Sequence, residues 1–326
     1  MKGLELAEKY YNEVGSPMLE SKFGAYLPRF AVGLVGEGSE CLGFDDEISQ
    51  DHDFGPGFCI WLNRSDYEEI GACLQKAYAS LPAEFAGFPA RLNTAQAGAR
   101  VGVFEIHSFY AAFIGDEQPP ESLKRWLYLP EDKLAAVTSG KVFADNLGEF
   151  SAIRKALLNY YPEPVRIKKI AARAAKMAQS GQYNYARCMR RGDVVASRLA
   201  LDEFIRSAIS MMYLLNRTYM PYYKWMFRGM KGFSVLSNVQ PLIAELALVG
   251  DTSQAWQEPH KPNWNPYVNN DDKRVRLIER ICAEVVGELK KQGLTTLDDA
   301  FLEAHTAQIM SHVADDGLRA CHVMEG

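Results

Sequence analysis

The chain has 326 residues, 48% of them hydrophobic and 24% charged, with a formal net charge of −5. That length suffices for two domains with a sizeable core, and the composition excludes a disordered or fibrous protein. No apolar run reaches the roughly 20 residues of a membrane span, and Met1 to Gly15 lack the apolar block of a signal peptide, so a cytoplasmic protein with no membrane partner is expected.

Charge is unevenly distributed. Residues 1–153 carry a net −11, residues 154–231 a net +12, and the remainder −6. An acidic first part followed by a basic one suits a site where one side holds cations and the other phosphates, although solvated helix faces give the same pattern. The cysteines Cys41, Cys59, Cys73, Cys188, Cys282 and Cys321 are scattered, with no CxxC pair and no histidine at ligand spacing. They read as buried thiols in a reducing compartment and not as a zinc site.

In chain order, residues 3–15 have helical apolar spacing through Leu4, Leu6, Ala7, Tyr10, Tyr11 and Val14. Phe30 to Val35 reads as a buried strand. A second strand is expected from Asp51 to Leu62, interrupted at Gly55-Pro56-Gly57. A helix follows over Asp66 to Ser80, capped by Ser65 or Asp66. Arg100 to Tyr110 reads as a third strand whose alternation puts Glu105 and His107 on one face. From Glu121 the pattern is helical, with pieces over 151–160, 164–179, 183–212, 221–229 and 238–248. A polar stretch rich in Pro, Asn and Trp over 250–272 is long enough to suggest a substrate loop. The expected organisation is α/β plus all-α, with a domain over 1–150 built on a short mixed sheet with helices and a helical domain over 151–326.

The chemistry is concentrated in Gly36-Glu-Gly-Ser-Glu-Cys-Leu-Gly-Phe-Asp-Asp-Glu-Ile-Ser-Gln-Asp-His-Asp-Phe-Gly-Pro56. A strand delivers Gly38-Ser39, eleven residues intervene, and Asp51-His52-Asp53 opens the next strand. On an extended segment Asp51 and Asp53 share a face. Carboxylates so placed can hold Mg²⁺, a hard cation that prefers oxygen ligands and substrate phosphates. Glu105, in an apolar strand where a lone charge is costly, completes a three-carboxylate set. Gly38 lets backbone approach a triphosphate, and the Ser39 hydroxyl can donate to it. Seven acidic residues between Gly36 and Leu62 with no Lys or Arg among them also call for cations nearby.

A strand ending in Gly-Ser, a spacer of this length and an Asp-x-Asp resemble the signature of the polymerase-beta-like nucleotidyltransferases. The longer run GEGSECLGFDDEISQDHDFGP is similar to a narrower bacterial family with an N-terminal nucleotidyltransferase domain and a helical C-terminal domain. Its likeness extends to Leu214 through Trp225. The resemblance implies two Mg²⁺ ions, a nucleoside triphosphate donor, and metal ligands at Asp51, Asp53 and Glu105. His52 departs from the apolar residue usual there.

In the basic segment, Arg187 shares a helix face with Asn184 and Arg191, while Arg217, Lys224 and Arg228 align if one helix runs through them. Arg187 and Lys224 are the expected partners of the β- and γ-phosphates, against the plainer reading as solvated or bridging side chains. The domain order resembles the aminoglycoside nucleotidyltransferases, in which a helical carboxylate acts as general base, and this implies Glu203 or its neighbour Asp202. Asp45 and Asp46 read chiefly as caps. The function expected is Mg²⁺-dependent transfer of a nucleoside monophosphate, AMP by preference, from an NTP (ATP favoured) to a hydroxyl of a small-molecule or protein acceptor, releasing pyrophosphate. The alternatives are nucleotide addition to an RNA end, which the acidic flanks disfavour, and a non-catalytic nucleotide-binding module.

Overall fold

Buried aliphatic and aromatic residues form the core of the first half of the chain. The computed structural model describes residues 1–50, 54–91, 99–257 and 268–326, which divide into unit 1 (1–121 and 129–160) and unit 2 (122–128 and 161–326).

Unit 1 begins with helix α1 (Gly3–Tyr10), which continues through a π-helical turn into α2 (Ser16–Phe23). Strand β1 (Ala31–Leu34) leads to the one-turn helix α3 (Ser39–Leu42); then come β2 (Cys59–Leu62), α4 (Arg64–Ala79), β3 (Gly102–Glu105) and α5 (Ile106–Ile114). The unit closes with α7 (Glu131–Thr138), β4 (Lys141–Asp145) and α8 (Glu149–Leu158), while α6 (Leu123–Tyr128) belongs to unit 2. The sheet order is β3-β2-β1-β4. β1 is antiparallel to both β2 and β4, and β2 is parallel to β3. Because Gly33 pairs with Cys59, the end of β1 and the start of β2 lie at the same end of the sheet.

β1 and β2 are buried along their whole length. Trp61 is fully buried, with its ring stacked on Phe150 at 4.0 Å and against the edge of Phe109 at 5.3 Å. On the other face Phe58, Ile60, Leu62 and Val32 pack with Tyr10, Leu19 and Leu74.

Four expectations are corrected here. The third strand ends at Glu105, because its carboxylate accepts the N–H groups of His107 and Ser108 and starts α5; an apolar run is ambiguous between strand and helix. The second strand starts at Cys59, since Phe54–Phe58 are not in strand and Gly55 has φ +147°. The pattern after Glu121 is not wholly helical: β4, short and half-exposed at the sheet edge, carries too few apolar positions to announce itself. Asn63, and not Ser65 or Asp66, caps α4 by accepting the Asp66 N–H at 2.9 Å.

Unit 2 is helical. α9 (Glu163–Met177) runs through a π-helical stretch (Ala178–Tyr185) into α10 (Ala186–Arg190), followed by α11 (Val194–Leu215), α12 (Tyr223–Met226), α13 (Val239–Leu248), α14 (Lys273–Lys291), α15 (Thr306–Ser311) and α16 (Asp316–Arg319). α9 and α11 form its core through residues such as Ile170, Ala174, Leu201 and Phe204. The helix expected over 183–212 is broken: Gly192 has φ +71°, and Asp193 caps α11 through the Ala196 N–H at 3.0 Å. No described helix is long and apolar enough to cross a membrane.

Phe150→Ala removes the fully buried ring stacked on Trp61 and should cost about 3–5 kcal/mol, whereas exposed Leu147→Ala should cost well under 1 kcal/mol. Equal denaturation midpoints for the two variants would contradict this account of the core.

Candidate functional site

The candidate site in unit 1 is assembled from the turn after β1, the step into β2, and the junction of β3 with α5. Gly38 sits at φ +129°, ahead of α3, a conformation that L side chains rarely adopt. A Cβ there would also lie 2.7 Å from the Glu40 carboxylate. Ser39 is half-buried at the first position of α3.

Glu40 is itself buried, and Arg91 neutralises it. Arg91 Nη1 donates to Glu40 Oε1 at 2.9 Å, with both side chains 4% exposed. Arg91 Nη2 donates to the Gly55 carbonyl at 3.1 Å. Backbone packing is equally close at this point, since a Cβ on Gly55 would stand 2.8 Å from the Pro89 carbonyl and 2.9 Å from the Arg91 nitrogen. One guanidinium thus joins the residue after Ser39 to the residue two beyond Asp53. Asp51, His52 and Asp53 lie outside the described residues, as do residues 258–267 of the polar stretch over 250–272.

Contrary to the expectation that the acidic segment needs bound cations for want of bases within it, the fold brings bases from elsewhere: Lys2 pairs with Asp45, Arg91 with Glu40 and Lys133 with Glu37. Asp45 accepts the Gly3 N–H at 2.9 Å, and Asp46 accepts the Ser49 N–H at 3.1 Å, so both act as caps.

Glu105 is 6% exposed and pairs with Leu62 in the β2–β3 register. Its oxygens accept N–H groups of His107 at 3.0 Å and Ser108 at 2.6 Å. Burial raises its pKa, but hydrogen bonds from the Ser108 side chain and backbone and from the His107 backbone outweigh burial. Together with the attraction of His107 they hold the carboxyl below its ordinary value. Ionised, it keeps lone pairs for further ligands. A cavity of about 410 Å³ is lined by Glu105, Ser108 and Arg100, by Gly36, Glu37 and Lys133 at the β1 turn, and by the rings of Phe104, Phe109 and Phe113. That volume is in the range of small-molecule sites. Among the described residues no three His, Cys, Asp or Glu side chains converge as a metal site. Of the three expected metal ligands the structure describes Glu105, whose oxygen donors are of the type a hard cation takes.

The remaining expected residues lie in unit 2. Arg187, in α10, is half-buried, with its guanidinium 4.6 Å from the Tyr183 ring centroid and donating to the Tyr183 hydroxyl. Lys224, in α12, is exposed, with Nζ 5.1 Å from the Trp225 centroid. Glu203 is exposed on α11, where it accepts from Ser207 Oγ at 3.3 Å. No single helix aligns Arg217, Lys224 and Arg228: α11 ends at Leu215, and Arg217, at φ +51°, donates to Glu163 at 2.8 Å. Cys73 is exposed, contrary to the expectation of uniformly buried thiols.

Sequence reasoning missed Arg91. Its signal was faint: it is the one base between Lys76 and Arg100.

Residues 126–226 match a family described as a domain of unknown function, DUF4037. No curated protein matches the chain. Among solved structures the chain is similar to a nucleotidyltransferase-like protein from Exiguobacterium sibiricum 255-15, at 10% identity and a TM-score of 0.37, covering 94% of this chain and 81% of that one.

Because the folded pKa of Glu105 lies below its unfolded value, its contribution to stability is complete above the ordinary glutamate range. That contribution disappears as pH falls through the lower, folded value. Glu105→Gln should therefore be less stable than wild type at pH 6–7, with the gap narrowing on acidification below about pH 4.3. Melting curves that stay equally far apart down to pH 3 would contradict this.

Proposed function

We propose that the protein is a Mg²⁺-dependent nucleotidyltransferase that moves a nucleoside monophosphate, AMP by preference, from an NTP to the hydroxyl of a small-molecule or protein acceptor. The observation that carries this reading is the joining of the two halves of the motif. The antiparallel register brings the end of β1 beside the start of β2, and Arg91 bonds both Glu40 and the Gly55 carbonyl. Gly38-Ser39 and the chain leaving Asp51-His52-Asp53 are thereby held to one buried side chain.

In this reading Asp51 and Asp53 would hold the metal, with ionised Glu105 as third carboxylate. Bound there, Mg²⁺ supplies charge neutralisation on the pyrophosphate and acidifies the acceptor hydroxyl. Ser39 donates its hydroxyl to a phosphate oxygen, and Gly38 keeps a Cβ out of the way. The roles read for Arg187, Lys224 and Glu203 remain proposals, each tested by single substitution in the same assay.

Calorimetric titration with ATP, GTP, CTP and UTP should show Mg²⁺-dependent binding, strongest for ATP, that Asp51→Asn/Asp53→Asn abolishes. Transfer activity undiminished in Asp51→Asn would overturn the proposal, and metal-dependent binding without turnover on any acceptor would favour the non-catalytic reading.

One observation favours addition to RNA ends as a second reading. Residues 204–244 contain five Lys or Arg and no Asp or Glu, and Tyr222 and Tyr223 there are exposed. Single-stranded RNA should then bind with an affinity that falls steeply with salt; absence of RNA binding at low salt would dispose of this reading.

A further inference from the structure

We infer that the cavity beside Glu105 binds a neutral small molecule with an apolar, ring-sized body and a hydroxyl that donates to the Glu105 carboxylate. Every residue that lines this cavity belongs to unit 1. Binding does not depend on the nucleotidyltransferase reading; the ligand's role as acceptor does. In that role its hydroxyl oxygen would bond the α-phosphorus of the NTP, pyrophosphate would leave, and the hydroxyl proton would pass to water.

The wall of the cavity is aromatic and fixed. The Phe109 ring lies 5.7 Å from Phe104 and 5.2 Å from Phe113, and behind it stand the buried rings of Trp61 and Phe150 at 5.3 and 5.7 Å. Rings held in this way present an apolar surface with little left to order when a ligand arrives. Volume sets the size of the body. A cavity of about 150 Å³ with apolar walls already holds a benzene ring, so about 410 Å³ admits two fused rings and a hydroxymethyl group.

Glu105 sets the polar contact. It is 6% exposed, and both of its oxygens accept N–H groups. The bases around it are engaged elsewhere: Arg64 with Glu117, His107 with Glu149 and Lys133 with Glu37, while Arg100 has a partner as well. A buried carboxylate offers a ligand lone pairs only, so the group that meets it must donate. The lining as a whole sets Glu37 and Glu105 against Arg100 and Lys133, and this balance suits a ligand without net charge.

The probes are naphthalen-2-ylmethanol and its anionic counterpart naphthalene-2-carboxylate, titrated calorimetrically into the full chain at neutral pH without nucleotide or metal. Wild type should bind the alcohol at least about tenfold more tightly than the carboxylate, because like charges repel strongly where water is excluded. Ala112→Trp fills the cavity from an exposed position on α5, and should abolish binding of the alcohol with a near-normal melting temperature. Glu105→Gln offers the ligand a donor besides an acceptor and should bring the two affinities together. No binding of the alcohol by wild type, or equal binding by folded Ala112→Trp, overturns the site. Equal affinities of wild type for the two probes overturn the contact with Glu105, whether or not Glu105→Gln folds. Displacement of the alcohol by ATP with Mg²⁺ assigns the cavity to the nucleotide and overturns the acceptor role, whereas ATP binding that leaves the alcohol in place supports it. Wild type that binds the alcohol and no nucleotide overturns the nucleotidyltransferase reading and the acceptor role, and leaves the site standing.

Discussion

A charge cannot remain in a protein interior without a partner, and in unit 1 that constraint organises the candidate site. The Glu40 carboxylate lies 2.7 Å from where a Cβ on Gly38 would be, so the turn, the glycine and the buried acid form one arrangement. Arg91 is the counter-charge, and its second donor reaches the Gly55 carbonyl. Removing either charge would leave the other uncompensated in the interior, which is far more costly than the pair's net contribution. The β1 turn, the step into β2 and the chain around Pro89 are consequently interdependent.

Much of the fold was legible because its signals are local. The β1 strand, the α4 helix and the helical second half follow from apolar periodicity, to within a few residues at the ends. The misreadings arose where a tertiary partner decides. Val103 to Ile106 has the composition of a strand throughout, and only the capping of α5 by the Glu105 carboxylate ends β3 where it does. β4 exists because β1 offers it a free edge, which no property of Lys141–Asp145 alone foretells. The break at Gly192 was visible as a glycine beside a capping aspartate, but was outweighed by the helical residues on both sides.

The candidate site was legible as a motif, while the charges that surround it were not. Gly38, Ser39, Asp51, Asp53 and Glu105 stand out because their residue types and spacing are improbable together. Lys2, Arg91 and Lys133 come from distant positions to neutralise the acidic segment, and a charge count confined to that segment could not include them. Long-range pairing of this kind is written in the fold and not in the spacing.

Asp272 shows how the helical unit treats the polar stretch that ends there. This fully buried carboxylate accepts from Tyr185, Thr252 and Trp256 at 2.7–2.9 Å and from the Arg274 N–H at 2.7 Å. The residues entering and leaving the stretch are thus fastened to a single point on the helical core. Segments 252–256 and 272–274 are therefore tied to the helical core through one carboxylate, so that losing this single side chain would release both from the same anchor at once and strand the Tyr185 hydroxyl and the Trp256 N–H without their acceptor.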